Sequence, residues 1–256
     1  MNAVYRIFDP TGNITALVET PVDAARQAAI AARLMDAEPQ VEQVGFLPQT
    51  GDAVISLRMA GGEFCGNATM CAAVTACEAA RQDAGSFQVR VSGTNAPVNA
   101  EVVRQPDGSW RAVVDMPRPA ALERRMLPGV GEAPVVRFDG ITHIVLTEPM
   151  PRPLAERQAR AWCQDLGADA LGLMFLDLRA GRMTPLVYVP AAGTLCWESS
   201  CASGTTAVGA YLAAEQGRRV TAALQQPAGV LTIEADETTL RLTGTVRLGE
   251  RKEIEI

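Results

Sequence analysis

Lysine is almost missing from this chain. The only one among 256 residues is Lys252, and arginine supplies the rest of the positive charge. Enzymes that hold pyridoxal phosphate do so through a lysine Schiff base, and Lys252, close to the end of the sequence, is a poor candidate for that role. Histidine also occurs once, as His143, which excludes a multi-histidine metal site. None of the six cysteines forms a CxxC pair, so neither a zinc ribbon nor a thioredoxin-type motif is supported. No apolar run is long enough to span a membrane, and the first residues lack the basic flank and apolar core of a secretory signal. The expectation is a cytoplasmic protein with reduced thiols and no membrane contact. The net charge of −6 and a pI near 5.0 argue against a nucleic-acid surface. An anionic small molecule would have to be met by local dipoles rather than by a basic face.

What the chain does have is apolar residues, 48% of the total, and enough length for one large domain or two of roughly 150 residues or less. It also has two cysteine segments of the same design. The first reads Gly61-Gly62-Glu63-Phe64-Cys65-Gly66-Asn67-Ala68-Thr69, and the second Glu198-Ser199-Ser200-Cys201-Ala202-Ser203-Gly204-Thr205. In each, a cysteine is followed by three small residues, a threonine and an alanine-rich run with helical character. A thiol just before a helix start sits at the positive end of the helix dipole, which favours the thiolate. Two such thiols facing one carbon could remove a proton from one side and return one to the other. The bland alternative is a pair of buried apolar thiols, and that reading is kept for Cys71 and Cys77, inside the first helix, and for Cys163 and Cys196.

The periodicity around these segments predicts a repeated plan. Strands are expected over 2–8, 14–18, 41–47 and 53–59, with a Gly51-Asp52 turn, and a helix over 22–35. The first cysteine helix is expected over 66–81, then strands over 87–92, 98–104 and 110–116. Met116-Pro117-Arg118-Pro119 is the boundary signal, because proline resists helix and central strand alike. The second half repeats: strands over 135–138 and 141–146, a helix over 153–166, strands over 172–178 and 186–190, and the second cysteine helix over 203–216. Strands over 220–225, 230–235 and 239–248 follow, with 252–256 as a further candidate. Helices made of Ala, Gly, Thr and Val are thin enough for a curved sheet to surround. The predicted fold is α+β, with two pseudo-symmetric domains, each a curved sheet wrapped around a central helix. The domains are 1–118, carrying Cys65 and with 249–256 as a candidate closing strand, and 119–248, carrying Cys201.

In this order the motifs resemble the diaminopimelate epimerase-like family of cofactor-independent, two-base racemases and epimerases. Thr11-Gly12-Asn13 resembles the family's first turn, Cys65-Gly66-Asn67-Ala68 its first cysteine motif, and Glu198 with Cys201 and Ser203-Gly204-Thr205 its second. His143 falls where the family has a Gly-Asn-Pro-His segment. The resemblance implies an active site in the cleft between two domains, with Cys65 and Cys201 as the acid/base pair and no metal or organic cofactor. It also implies a substrate carboxylate held at the helix starts around Gly66-Asn67 and Gly204-Thr205. Asn13 and Ser203 would complete the substrate pocket, with Glu198, His143 and Glu63 as auxiliary residues. A homodimer and a small amino-acid substrate belong to the same implication.

The departures narrow the substrate. Diaminopimelate epimerases recognise the far amino-acid end of their substrate with asparagines and an arginine. Here the corresponding segments read Gly140-Ile141-Thr142-His143, Thr184-Pro185-Leu186-Val187 and Glu198-Ser199. Without those polar partners a second charged head should bind poorly. The stretch Glu42-Gln43-Val44-Gly45-Phe46-Leu47 and the compact first cysteine motif resemble the histidine racemase branch, some members of which supply D-histidine to metallophores. Histidine is therefore the expected substrate. The alternatives are a diaminopimelate epimerase with altered distal recognition, a relative of the phenazine-biosynthesis isomerases, a thiol redox sensor, and a non-catalytic amino-acid-binding protein of the same fold.

Overall fold

A computed structural model describes residues 2–48 and 54–256. The Gly51-Asp52 turn expected from the sequence lies outside them. The chain divides into two compact units, Met1–Asp115 with Thr243–Ile256, and Met116–Leu242.

Unit 1 opens with β1 (Asn2–Pro10), β2 (Thr15–Val18), helix α1 (Ala24–Ala37), β3 (Gln43–Phe46) and β4 (Ile55–Met59). The cysteine helix α2 (Gly66–Ala79) follows, then β5 (Ala84–Val91), β6 (Val98–Arg104) and β7 (Trp110–Asp115). Unit 2 runs through β8 (Ala121–Leu127), β9 (Gly131–Phe138), β10 (Ile141–Leu146), α3 (Arg152–Asp165), β11 (Leu171–Asp177), β12 (Arg182–Val189) and β13 (Thr194–Trp197). The second cysteine helix α4 (Ala202–Gln216) comes next, before β14 (Val220–Gln226) and β15 (Gly229–Ala235). The last strand, β16 (Leu240–Glu255), gives residues 243–255 to unit 1.

The repeat is one of connection as well as composition. In unit 1, β2 and β3 are parallel across α1, and β4 and β5 are parallel across α2. In unit 2, β10 and β11 are parallel across α3, and β12 and β14 across α4. Parallel neighbours need a crossover, and a helix supplies it each time. In unit 1, β1 also pairs antiparallel with β16, from Asn2↔Glu255 to Pro10↔Val246, which carries the sheet back onto its first strand.

The two kinds of helix differ in what they bury. α1 and α3 are amphipathic, with one stripe inward: Ile30, Ala31 and Leu34 in the first, Ala155, Ala159, Trp162 and Cys163 in the second. The cysteine helices are buried round their circumference, continuously over Gly66–Val74 and Ala202–Gly209. α2 is packed by β1, β2, β4, β5, β6 and β7, and α4 by β9, β10, β11, β14 and β15. Such a helix leaves room for few large side chains. At Gly209 a Cβ would lie 2.5 Å from the Ile233 side chain of β15. Among the described residues no helix is long and apolar enough to cross a membrane.

Two elements escaped the sequence reading. β8, Ala-Leu-Glu-Arg-Arg-Met-Leu, is mostly exposed and charged, so it shows no alternation; its register with β9, from Ala121↔Arg137 to Leu127↔Gly131, defines it. β13 has only four residues and pairs with β12 just after a left-handed Gly193. The expected strand over 239–248 and the tail form one continuous strand.

Candidate active site: two cysteine-capped helices

Each sequence-predicted cysteine occupies the N-cap of its helix, in almost the same backbone conformation: φ −133° and ψ 109° at Cys65, φ −131° and ψ 110° at Cys201. Each sulfur accepts the backbone N–H three residues on, Ala68 at 3.3 Å and Gly204 at 3.4 Å. The threonine of each repeat returns its hydroxyl to the cysteine carbonyl, Thr69 to Cys65 and Thr205 to Cys201, both at 2.7 Å. The spacing of cysteine and threonine thus has a mechanical meaning. It fixes the cap from both sides of one peptide and points the thiol at the positive helix start.

In unit 1 the cap sits in a polar cluster. The half-buried Cys65 thiol donates to Gln43 Oε1 at 3.1 Å. Gln43 Nε2 donates to Thr15 Oγ1 at 2.8 Å and also to Asn13 Oδ1. Asn67 Nδ2 reaches the same Asn13 oxygen at 3.0 Å, while Asn13 Nδ2 donates to Glu42 at 2.6 Å. Asn13, Asn67 and Cys65, chosen from the sequence, are therefore joined through Gln43, which was not. Gln43 and Thr15 are register partners across the parallel β2–β3 pair. Apart from its place in the Glu42-Gln43-Val44-Gly45-Phe46-Leu47 stretch, the local signal for Gln43 is a polar residue at the start of an otherwise apolar strand.

The turn that presents Asn13 is conformationally costly. Thr11 has φ 56°, an unusual value for a β-branched residue. Backbone and side-chain bonds with Thr245 of β16 hold it, with Thr11 N–H to Thr245 O at 2.8 Å and Thr245 N–H to Thr11 Oγ1 at 3.0 Å. Glu63, two residues before the cap, has its carboxyl pKa raised by burial, an effect that backbone N–H groups of Glu63 and Gly61 oppose. Behind it, Gly93 (φ 73°) lies against the Glu63–Phe64 backbone so closely that a Cβ would be 2.4 Å from the Phe64 nitrogen.

In unit 2 the Cys201 thiol is buried, hydrogen-bonded to the Glu198 side chain and 3.6 Å from Ser203 Oγ. Burial first, then the Glu198 carboxylate, pushes its pKa well above the ordinary thiol value; Ser203 and the Gly204 N–H pull the other way without prevailing. The helix start alone would favour a thiolate, so desolvation and a neighbouring negative charge reverse that expectation here. The Gly204 and Thr205 N–H groups are engaged by the Cys201 sulfur and carbonyl. Gln226, absent from the sequence reading, accepts the Cys201 N–H through Oε1 at 2.8 Å.

His143 is placed apart from these hydrogen bonds. It lies on β10, fully buried, with its ring edge-on to Phe138 at 6.0 Å and tight against Gly172. Neither ring nitrogen has a hydrogen-bond partner among the described residues, and burial lowers its pKa from 6.5 to about 3. It is a neutral imidazole across the physiological range. Of the other cysteines, Cys71, Cys77 and Cys163 are buried and Cys196 is half-buried, and among the described residues no cysteine forms a disulfide. Among the described residues no group of three or more His, Cys, Asp or Glu could hold a metal ion.

Comparison with known proteins places this architecture. The fold is that of a predicted epimerase from Pseudomonas aeruginosa (TM-score 0.73, 17% identity, covering 100% of both chains). It is also that of a phenazine biosynthesis protein of the PhzF family from Enterococcus faecalis (TM-score 0.63, 17% identity, 100% of both chains). In sequence the chain is 30% identical over 219 residues to the histidine racemase of Staphylococcus aureus, covering 80% of this chain and 77% of that protein. The protein is thus an isomerase of the cofactor-independent racemase and epimerase superfamily. The family model described as the histidine racemase CntK N-terminal domain matches residues 4–251. The chain belongs to that family.

Proposed function

We propose that this protein racemises histidine by a two-base 1,1-proton transfer between Cys65 and Cys201. One cysteine, as thiolate, takes the α-proton; the other, as thiol, delivers a proton to the opposite face, and the roles exchange for the other enantiomer. The observation that carries the reading is the matched pair of caps, two cysteines with the same φ and ψ, the same N–H contact and the same threonine return bond. Helix starts stabilise the negative charge that builds up on carboxylate and carbanion. Within the reading, Asn13, Gly66 and Asn67 meet the substrate from unit 1, and Ser203, Gly204 and Thr205 from unit 2. Glu198 accepts or returns the Cys201 proton, Glu63 supports the Cys65 cap from within unit 1, and His143, which has no hydrogen bond to the Cys201 cap, is kept as an auxiliary residue of unit 2.

The substrate rests on the histidine racemases to which the chain is similar. D-Histidine made this way would serve a condensation reaction that builds a metallophore. The reading also takes the protein to be a cytoplasmic homodimer with its domain junction at residues 118–119. The test is α-hydrogen exchange in deuterium oxide under reducing conditions, with L-histidine, D-histidine, other amino acids and diaminopimelate. Exchange and racemisation of histidine, lost in both Cys65→Ser and Cys201→Ser, support the proposal. Exchange of diaminopimelate alone points to an epimerase with altered distal recognition. Tight amino-acid binding with no exchange points to a binding protein.

A further inference from the structure

We propose that Gln226 is a positioning residue for Cys201, holding the thiol through the backbone rather than through the sulfur. Gln226 is 2% exposed and lies at the end of β14, where the hairpin to β15 turns. Its Oε1 accepts the Cys201 N–H at 2.8 Å, and its Nε2 donates to Thr205 Oγ1 at 2.9 Å. Thr205 Oγ1 in turn donates to the Cys201 carbonyl at 2.7 Å. The three bonds close a ring through Gln226, Thr205 and both polar groups of the Cys201 backbone. The same hairpin grips the preceding segment, with the Ala228 N–H donating to the Ser199 carbonyl at 3.1 Å.

The ring needs an amide. Thr205 has spent its hydroxyl proton on Cys201, so it can only accept from residue 226, while the Cys201 N–H can only donate to it. Position 226 must therefore offer one acceptor and one donor in a buried place, and an unmet partner there is costly. Glutamine does this without adding charge beside a thiol that already faces Glu198. A neutral glutamic acid would do the same, since its carboxyl carries one acceptor oxygen and one O–H. A carboxylate would not, because it sets an acceptor against an acceptor. Burial raises a carboxyl pKa, so Gln226→Glu acquires a pH-dependent version of the native ring.

The inference rests on Cys201 being an acid/base residue, and the experiment separates the two claims. Cys201→Ser, Gln226→Met and Gln226→Glu are compared in histidine racemisation, and in the pH dependence of Cys201 alkylation by iodoacetamide. Alkylation is read peptide by peptide, with Cys65 as reference, and needs no substrate. The expected result for Gln226→Met is a kcat lower by about 10- to 100-fold with KM within about threefold, as befits a misplaced reacting group, and an altered Cys201 profile beside an unaltered Cys65 profile. Gln226→Glu is expected to recover activity at low pH and lose it through a new descending limb as the carboxyl ionises. The proposal falls if Gln226→Met keeps its kcat, or if Gln226→Glu has a pH profile of the parental shape. It falls equally if the alkylation profiles of both cysteines move together, the sign of general loosening. Should Gln226→Met not fold, the Gln226→Glu profile decides alone. Full activity in Cys201→Ser would overturn the two-thiol reading itself, whereas an inactive Cys201→Ser beside a normal Gln226→Met overturns only the role of Gln226.

Discussion

The two caps share a backbone, an N–H contact to the sulfur and a threonine bond, and differ in the other side chains around them. In unit 1 the thiol itself is held: Cys65 donates to Gln43, and Gln43 is tied to Asn13 and Thr15. In unit 2 the main chain is held, through Gln226 and Thr205, and the thiol is left to Glu198 and Ser203. One cysteine hydrogen-bonds to a neutral amide and the other to a carboxylate. If both handle the same α-carbon, they do so from different resting chemistry. Pseudo-symmetry of fold has fixed the position of the sulfurs and left their surroundings free to diverge.

The largest test of the comparison is removal of the sulfurs. Cys65→Ser and Cys201→Ser should each lower racemisation by about 10³-fold or more, because a serine hydroxyl is a far weaker acid and base than a thiol near neutral pH. Loss in only one variant would make the caps unequal in role as well as in setting.

The next test exploits a single small residue. The third position after the cysteine is Ala68 in α2 and Gly204 in α4. A Cβ at 204 would lie 2.0 Å from the Met174 sulfur and 3.2 Å from the Cys201 sulfur. Gly204→Ala should cost about 1–3 kcal/mol of stability by overpacking and lower kcat by roughly 10- to 100-fold through displacement of the thiol. Ala68→Gly should cost no more than about 1 kcal/mol. Thermal melts and steady-state rates on the pair measure the difference, and equal effects would show that Met174 yields freely.

Gln43→Leu addresses the held thiol. It removes the acceptor from the protonated form of Cys65, which should lower the pH at which Cys65 is alkylated and leave Cys201 unmoved. Activity should fall about 10-fold as Asn13 loses a partner. An unchanged Cys65 profile would mean that the amide contributes nothing to the thiol.

The smallest effects are on stability with pH. His143 titrates near 6.5 when unfolded and near 3 when folded, so the stability it contributes is whole above pH 6.5 and is lost as pH falls towards 3. His143→Leu should flatten that acid limb in melts between pH 7 and 4. Cys71 and Cys201 have the opposite sense: burial raises their folded pKa. Their contribution is whole below the ordinary thiol value and is lost as pH rises beyond it. Cys71→Ala should reduce the alkaline fall in melting temperature more than Cys77→Ala, since burial perturbs Cys71 more strongly.

What could be read in advance was local. The thin helices announced themselves through Ala, Gly and Thr, and Cys65 and Cys201 through a repeated context within five residues. Asn13 and Asn67 were found as motif members, and the structure adds that one hydrogen bond joins them. Gln43 and Gln226 were not legible, because each reaches its cysteine across more than 20 residues of sequence. A sheet register or a hairpin turn brings them in, and neither leaves a periodic trace. The sense of the Cys201 pKa was misread for a related reason. A helix start is visible in sequence, whereas burial and a carboxylate folded against the sulfur are not.

The clamp between Thr11 and Thr245 sets an order of events during synthesis. These residues are separated by 234 positions, and at about 5–20 residues per second the second follows the first by roughly tens of seconds. Unit 2 is one contiguous stretch, complete once residue 242 has been made. Unit 1, begun first, cannot close the turn at Asn13 or pair β1 with β16 until that strand emerges. The strands around α2 are therefore made long before β16, the strand that pairs with β1. The first half of the molecule is thus completed last.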